Sequence, residues 1–103
     1  MSTVNGDENH NPLIVGCNYR YTTQGAHNAH FMLVDLNLKS GMARLITRKT
    51  KKDFWKPIDQ LIYIDNANNA RKAERIAKEG MDYLKALIGH KHAQNWADRM
   101  EAA

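Results

Sequence analysis

Seven basic side chains lie close together in one stretch of the chain, residues 39–56, where only Asp53 opposes them. They are Lys39, Arg44, Arg48, Lys49, Lys51, Lys52 and Lys56. Seven positive charges against one negative charge give this basic segment a formal charge of +6, whereas the whole chain of 103 residues carries +4. A concentrated positive field attracts a polyanion more strongly than the same charge scattered over a surface. The basic segment is therefore the strongest indication of function in the sequence.

Two aromatic residues, Phe54 and Trp55, lie within the basic segment. Basic side chains neutralise phosphates, and an exposed ring can stack on a base. Arg44 and Arg48 share one face of a predicted strand, from which arginines can reach base edges in a major groove. The sequence thus predicts a small non-enzymatic nucleic-acid-binding or regulatory module, with DNA or RNA as its partner.

The same residues support two other interpretations. The protein would be an interaction module, an adaptor or a small inhibitor of a larger complex, if the basic segment docks on an acidic protein surface. Trp55 or Trp96 would then be the buried aromatic anchor of the interface. Alternatively the segment has only a structural role, in which lysines protect an edge strand from aggregation and Phe54 and Trp55 cover the core.

Catalytic motifs are absent from the sequence. There is no GxxxxGK[ST] or GxGxxG phosphate loop, and no Asp or Glu is followed by Lys two positions later. Ser2 and Ser40 lie in a tail and a turn, where neither is placed as a nucleophile. We therefore expect no enzymatic activity and no cofactor.

Four of the five histidines form two pairs that suggest a metal site. His27 and His30 lie in or beside a loop, and His90 and His92 flank a predicted break between helices. Together with Cys17 or Asp35 they would suit zinc if the fold brought them together. Their spacing is not that of a zinc finger, so the prediction is that no metal is bound, and that Cys17 is a buried, unreactive thiol.

Composition indicates one globular domain. Hydrophobic residues make up 43% and charged residues 25% of the chain, close to ordinary globular usage. We expect a flexible polar tail over residues 1–12 and a single domain over 13–103. The single cysteine excludes a disulfide scaffold. Residues 1–12 have neither a basic start nor an apolar stretch, and the apolar runs of the chain are short, so we expect no signal peptide, no transmembrane helix and a cytoplasmic location.

The sequence pattern predicts an α+β fold. Alternating apolar residues indicate strands over 13–21, 31–38 and 42–47, with the second and third joined by a hairpin turn at 39–41. A charged connector over 49–57 leads to a short fourth strand over 58–64. Asp65 or Asn66 caps a helix that ends at Gly89, and a short final helix follows over 92–100.

These elements favour a small antiparallel sheet of three to four strands, with a helix packed on one face and a short C-terminal helix. Small residues in the first half of the long helix, together with Gly80, predict that this helix lies close to the sheet. Trp96 and Met100 share one face of the final helix and leave a homodimer open.

Overall fold

The computed structural model describes residues 13–24 and 29–102, which form a five-stranded sheet and three helices. The strands are β1 (Asn18–Tyr21), β2 (Phe31–Asn37), β3 (Met42–Ile46), β4 (Asp53–Pro57) and β5 (Leu61–Tyr63). The helices are α1 (Ala67–Glu79), α2 (Met81–Ile88) and α3 (His90–Ala102). The α+β class is confirmed, but the prediction of three to four strands and two helices was too low. The predicted tail, residues 1–12, lies outside the described residues.

The sheet is antiparallel throughout and strongly curled. Its strand order is β4-β3-β2-β1-β5, so the last two strands form opposite edges. Only residues 58–60, one 3₁₀ turn, connect those edges. The edges of a flat five-stranded sheet would be about 19 Å apart, whereas four residues span at most about 14 Å. The sheet must therefore curl, and the ring of Tyr21 on β1 accordingly contacts that of Phe54 on β4 at 5.9 Å.

The concave face of this curled sheet holds much of the hydrophobic core. Residues paired across antiparallel strands share a face, which places Leu33 with Leu45 and Leu36 with Ala43. All four are buried, as are the concave-face residues Tyr19 and Leu61. The convex face carries Met32 with Ile46 and Asp35 with Arg44, and α3 packs against it. Each fully buried Leu contributes about 1.5–3 kcal/mol.

A β-bulge in β2 breaks the predicted alternation. The register shifts between Leu33 and Asp35, which places Val34 as an extra residue. Strict alternation over the predicted strand 31–38 would place Leu36 on the same face as Met32, but Leu36 lies on the concave face, paired with Ala43. As a result four successive residues, 33–36, are buried, and Asp35 is one of them.

Gly16 provides the close approach that the sequence pattern predicts at Gly80. The first strand covers only Asn18–Tyr21, not 13–21, because a turn precedes it. In that turn Gly16 has a φ of +103°, and a Cβ there would lie 2.9 Å from Ile76 and 3.0 Å from Leu87. Its backbone therefore packs directly against α1 and α2, where a side chain has no room.

The long helix predicted to continue through Gly80 is two helices. Gly80 has a φ of +66°, and no atom lies within 4 Å of the position that a Cβ would occupy, so it ends α1 instead of packing against the sheet. The predicted start and end are confirmed. The Asn66 side chain accepts a hydrogen bond from the backbone N–H of Asn69 at 2.8 Å, and Gly89 (φ +91°) ends α2. Helix α3 then begins at His90, two residues earlier than expected.

The expected charged connector over 49–57 is only partly a connector. Residues 53–57 form β4, because Phe54 pairs with Leu45 and Trp55 pairs with Arg44. The strand expected over 58–64 is a 3₁₀ turn followed by the three-residue β5. The described helices include none with the length and apolarity required to cross a membrane.

The fully buried side chain of Asn69 joins α1 to the sheet. Its amide nitrogen donates to the carbonyl oxygens of Asn18 at 2.8 Å and Ile64 at 2.9 Å, while its oxygen accepts from the Asn18 N–H at 2.8 Å. The amide thus completes backbone hydrogen bonding at the start of β1. Its backbone carbonyl accepts a 3.8 Å hydrogen bond from the Cys17 thiol.

Candidate functional site

The structure separates the basic segment into different environments. The turn between β3 and β4 exposes Arg48, Lys49, Lys51 and Lys52. The Thr47 N–H donates to the Lys52 carbonyl at 2.8 Å, and the Lys51 N–H donates to the Thr47 carbonyl at 3.2 Å. The Thr47 hydroxyl accepts a further bond from the Lys52 N–H at 3.0 Å. These bonds hold a compact turn that presents cations to solvent.

Lys39 lies at the other end of the sheet from this turn. It belongs to the turn between β2 and β3, whereas Arg48 follows the far end of β3. The four residue steps along β3 alone separate the two turns by about 14 Å. A ligand centred on the β3–β4 turn is therefore not expected to contact Lys39.

Arg44 and Trp55 face α3 in a cluster of ionic and aromatic contacts. The Arg44 guanidinium forms an ion pair with Asp53 and lies 5.5 Å from the centre of the Trp55 ring. The Arg99 guanidinium lies 5.7 Å from the same ring and also pairs with Asp35 at 2.8 Å. We call this set, with His92, the Asp35 cluster. Within this cluster Asp53 neutralises the charge of Arg44, and Trp55 remains 37% exposed.

Phe54 and Lys56 also have partners within the protein. The Phe54 ring lies 5.2 Å from the Phe31 ring in an edge-to-face arrangement and also contacts Tyr21. The Lys56 ammonium lies 4.7 Å from the centre of the Tyr21 ring. These contacts favour the core-covering interpretation of Phe54 over base stacking.

A cleft of about 860 Å³ lies between the convex face of the sheet and the helices. Arg48 and Lys51 from the β3–β4 turn and Arg71 and Lys72 from α1 all line it. We call these four residues and the cavity they border the cationic cleft. Its lining among residues 13–24 and 29–102 includes no Asp or Glu. Two chain segments that are distant in sequence therefore contribute positive charge to one concave surface.

The charges of the cationic cleft are not compensated within the described part of the chain. No ion pair involves Arg48, Lys51, Arg71 or Lys72 there, although the same structure pairs Arg44, Arg75 and Arg99 with carboxylates. Burial lowers the pKa of Lys72, and the nearby charge of Arg48 lowers it further. The charge of Lys72 is thus held where it is mildly unfavourable, a condition that a bound anion would relieve.

The Asp35 cluster also contains a perturbed histidine. Burial lowers the pKa of His92, and the neighbouring Arg44 charge adds to that effect. Asp35 is fully buried, and it accepts hydrogen bonds from the Leu36 N–H at 2.8 Å and from Arg99. Because its charges are paired, this cluster has the character of a structural ionic network.

The histidines and Cys17 are in different surroundings. His30 lines the cationic cleft, His92 lies in the Asp35 cluster and His90 is exposed, while His27 lies outside the described residues. Among the side chains that the structure describes, no three of His, Cys, Asp and Glu come together in a metal-binding group. Burial raises the pKa of the Cys17 thiol to about 11, which agrees with the prediction of a buried, unreactive cysteine.

Lys72 and the role of Arg71 in the cleft were not predicted from the sequence. Both residues lie in the first turns of α1, behind the cap at Asn66. The available signal was the adjacent pair of basic residues near a helix start, where acidic residues are usual.

Comparison of the chain with protein-family models, with curated proteins and with solved structures gave no match.

Proposed function

We propose that this protein is a small non-enzymatic nucleic-acid-binding module that binds the phosphate backbone at the cationic cleft. The observation that carries the proposal is the convergence of Arg48, Lys51, Arg71 and Lys72 on one cleft whose described lining has no carboxylate. Paired arginines stabilise a fold, whereas uncompensated cations gathered around a cavity favour an anionic ligand.

Lys49 and Lys52 extend this surface along the β3–β4 turn. Both are exposed, so their ammonium groups are free to follow a flexible phosphate chain. Guanidinium groups at Arg48 and Arg71 provide donors that suit bidentate contact with phosphate oxygens. The surface is therefore expected to contact about three to six phosphates, and binding should weaken steeply with salt.

Fluorescence anisotropy of labelled single- and double-stranded DNA and RNA at several salt concentrations tests this proposal. Each neutralised phosphate should make the slope of log affinity against log salt more negative by about 0.7–0.9. The triple variant Lys49→Glu, Lys51→Glu and Lys52→Glu should abolish binding and retain the helical circular dichroism of the wild type. Undiminished binding by this variant would contradict the assigned surface.

An acidic protein surface is the second candidate partner. The exposed face of Trp55 favours it, because a partly exposed tryptophan is a suitable interface anchor. A partner recovered with the protein after nuclease treatment, and lost with Trp55→Ala, would favour this candidate. A partner that nuclease releases would favour nucleic acid.

A further inference from the structure

The cationic cleft has an apolar interior that phosphate binding alone does not require. The inner part of its lining is formed by Met32, Val34, Ile46, Leu87 and Ile88. Val34 and Ile88 are buried, whereas Arg48, Lys51 and Arg71 are exposed at the rim. A ligand that fills this cleft therefore combines an apolar or flat body with a negatively charged part.

Three asparagines add side-chain amides to the lining of the cleft. Asn18, Asn66 and Asn68 line the cleft. The side chain of Asn68 is exposed and makes no hydrogen bond within the described part of the structure, while the Asn66 oxygen is occupied by the Asn69 N–H. An amide offers both a donor and an acceptor, the pair of groups that reads the edge of a nucleobase.

We propose that the cationic cleft binds one unpaired nucleotide, with its base against the apolar interior and its phosphate at the cationic rim. The base edge lies toward Asn68, and the phosphate lies among Arg48, Lys51 and Arg71. This inference rests on the proposed function for its polymeric ligand, although a free nucleotide has the same chemistry. The volume of about 860 Å³ lies within the usual range for small-ligand sites.

The proposal predicts a preference for single strands over duplexes. The bases of a duplex are stacked and paired, so a duplex would contact only the cationic rim. An unpaired base is free to turn out of the base stack and lie against apolar side chains. The site therefore distinguishes the two forms by its interior and not by its charge.

Binding of a single-stranded octamer, the matching duplex, adenosine monophosphate and inorganic pyrophosphate tests the proposal. At one salt concentration the single strand should bind at least about tenfold more tightly than the duplex. Adenosine monophosphate should compete with the single strand, and pyrophosphate should compete less well. In nuclear magnetic resonance spectra, adenosine monophosphate should shift the Asn68 side-chain amide and the methyl groups of Ile46 and Leu87.

Two variants separate the interior from the rim. Ile46→Trp fills the cleft and should lower single-strand affinity to that of the duplex. Asn68→Ala removes an exposed amide, so it should fold normally and lower single-strand affinity several-fold. Asn95→Ala, on α3 and outside the cleft lining, is the matched control.

The outcomes distinguish this inference from the proposed function. Equal affinity for single strand and duplex, with Asn68→Ala unchanged, would overturn the nucleotide site and leave backbone binding intact. Binding of adenosine monophosphate without binding of either strand would support the nucleotide site and overturn the polymeric function. Absence of binding to all four probes would overturn both.

Discussion

The cationic cleft and the Asp35 cluster use the same residue types for opposite purposes. In the Asp35 cluster, Arg44 and Arg99 each pair with a carboxylate, and the buried carboxylate of Asp35 takes part. In the cationic cleft, Arg48 and Arg71 have no such partner in the part of the chain that the structure describes. The difference shows that compensation, and not the number of arginines, separates a structural network from a binding surface.

For the same reason, the basic segment includes residues that do not belong to the binding surface. Arg44 and Arg48 both belong to the basic segment. In the fold, however, Arg44 on β3 pairs with Asp53 and lies over Trp55. Arg48 lies in the turn that follows β3, and it lines the cationic cleft together with residues of α1. Two residues only four positions apart therefore have different expected consequences when they are changed.

The largest expected effect is the loss of stability in Arg99→Met. This change leaves the fully buried carboxylate of Asp35 without its cationic partner. We expect the free energy of unfolding to fall by about 2–4 kcal/mol, measured by urea denaturation. Nucleic-acid affinity of the folded fraction should not change.

A second substitution tests the cause of that loss. Arg99→Met combined with Asp35→Asn removes the uncompensated charge and should recover part of the lost stability. Lys91→Met, an exposed change on the same helix, is the control and should be neutral. A stable Arg99→Met protein would contradict the structural role of the Asp35 cluster.

An effect of opposite sign is expected in the cationic cleft with Lys72→Met. Burial and the Arg48 charge lower the pKa of Lys72, so the unliganded protein should gain stability, by less than about 1 kcal/mol, when that charge is removed. Affinity for single-stranded DNA should nevertheless fall several-fold. Thermal denaturation and anisotropy measure the two effects.

Lys78→Met is the matched control on the exposed surface of α1. It should change neither stability nor affinity appreciably. Reduced stability of Lys72→Met together with unchanged affinity would assign Lys72 to the fold and remove it from the binding surface.

The smallest expected effect is a pH dependence from His92. Because folding lowers the pKa of His92, the unfolded chain binds its proton first as the pH falls. Stability from the neutral imidazole is present above the ordinary histidine pKa of about 6.5 and is lost as the pH falls toward the folded value. Arg44, Asp53, Lys91 and Asp35 act on this group.

Urea denaturation between about pH 7.5 and 5 measures this dependence. His92→Gln should reduce the loss of stability on acidification, whereas His90→Gln, at an exposed position, should retain it. An identical pH dependence in wild type and His92→Gln would contradict the assignment.

Local patterns predicted those parts of the fold that depend on neighbouring residues. The hairpin at 39–41, the alternation of Ala43 and Leu45 with Arg44, and the Asn66 cap all follow from near-sequence chemistry. Strand β4 was missed because Asp53 and Lys56 obscure its alternation, and its pairing with β3 supplies the missing stabilisation.

The cationic cleft required contacts that no local pattern contains. Sequence placed Arg48 and Lys51 in a basic segment, but it could not show that α1 lies beside them. The buried amide of Asn69 fixes that arrangement by bonding to Asn18 and Ile64. Likewise, the role of Asp35 depends on Arg99, which is far along the chain and reaches it only through the packing of α3.

The most direct test of binding at the cationic cleft compares two charge-matched double variants in binding to a single-stranded oligonucleotide. Arg48→Glu with Lys51→Glu reverses two cations of the cleft, whereas Lys39→Glu with Lys78→Glu reverses two exposed cations outside it. Anisotropy at about 50 and 200 mM salt gives the affinity and the salt dependence of each variant.

If the cationic cleft governs binding, the cleft variant loses at least about tenfold in affinity, and its salt dependence falls by the contribution of about two phosphates, while the outside variant stays close to the wild type. Equal losses in the two variants would contradict this expectation, because net charge and not the cationic cleft would then govern binding.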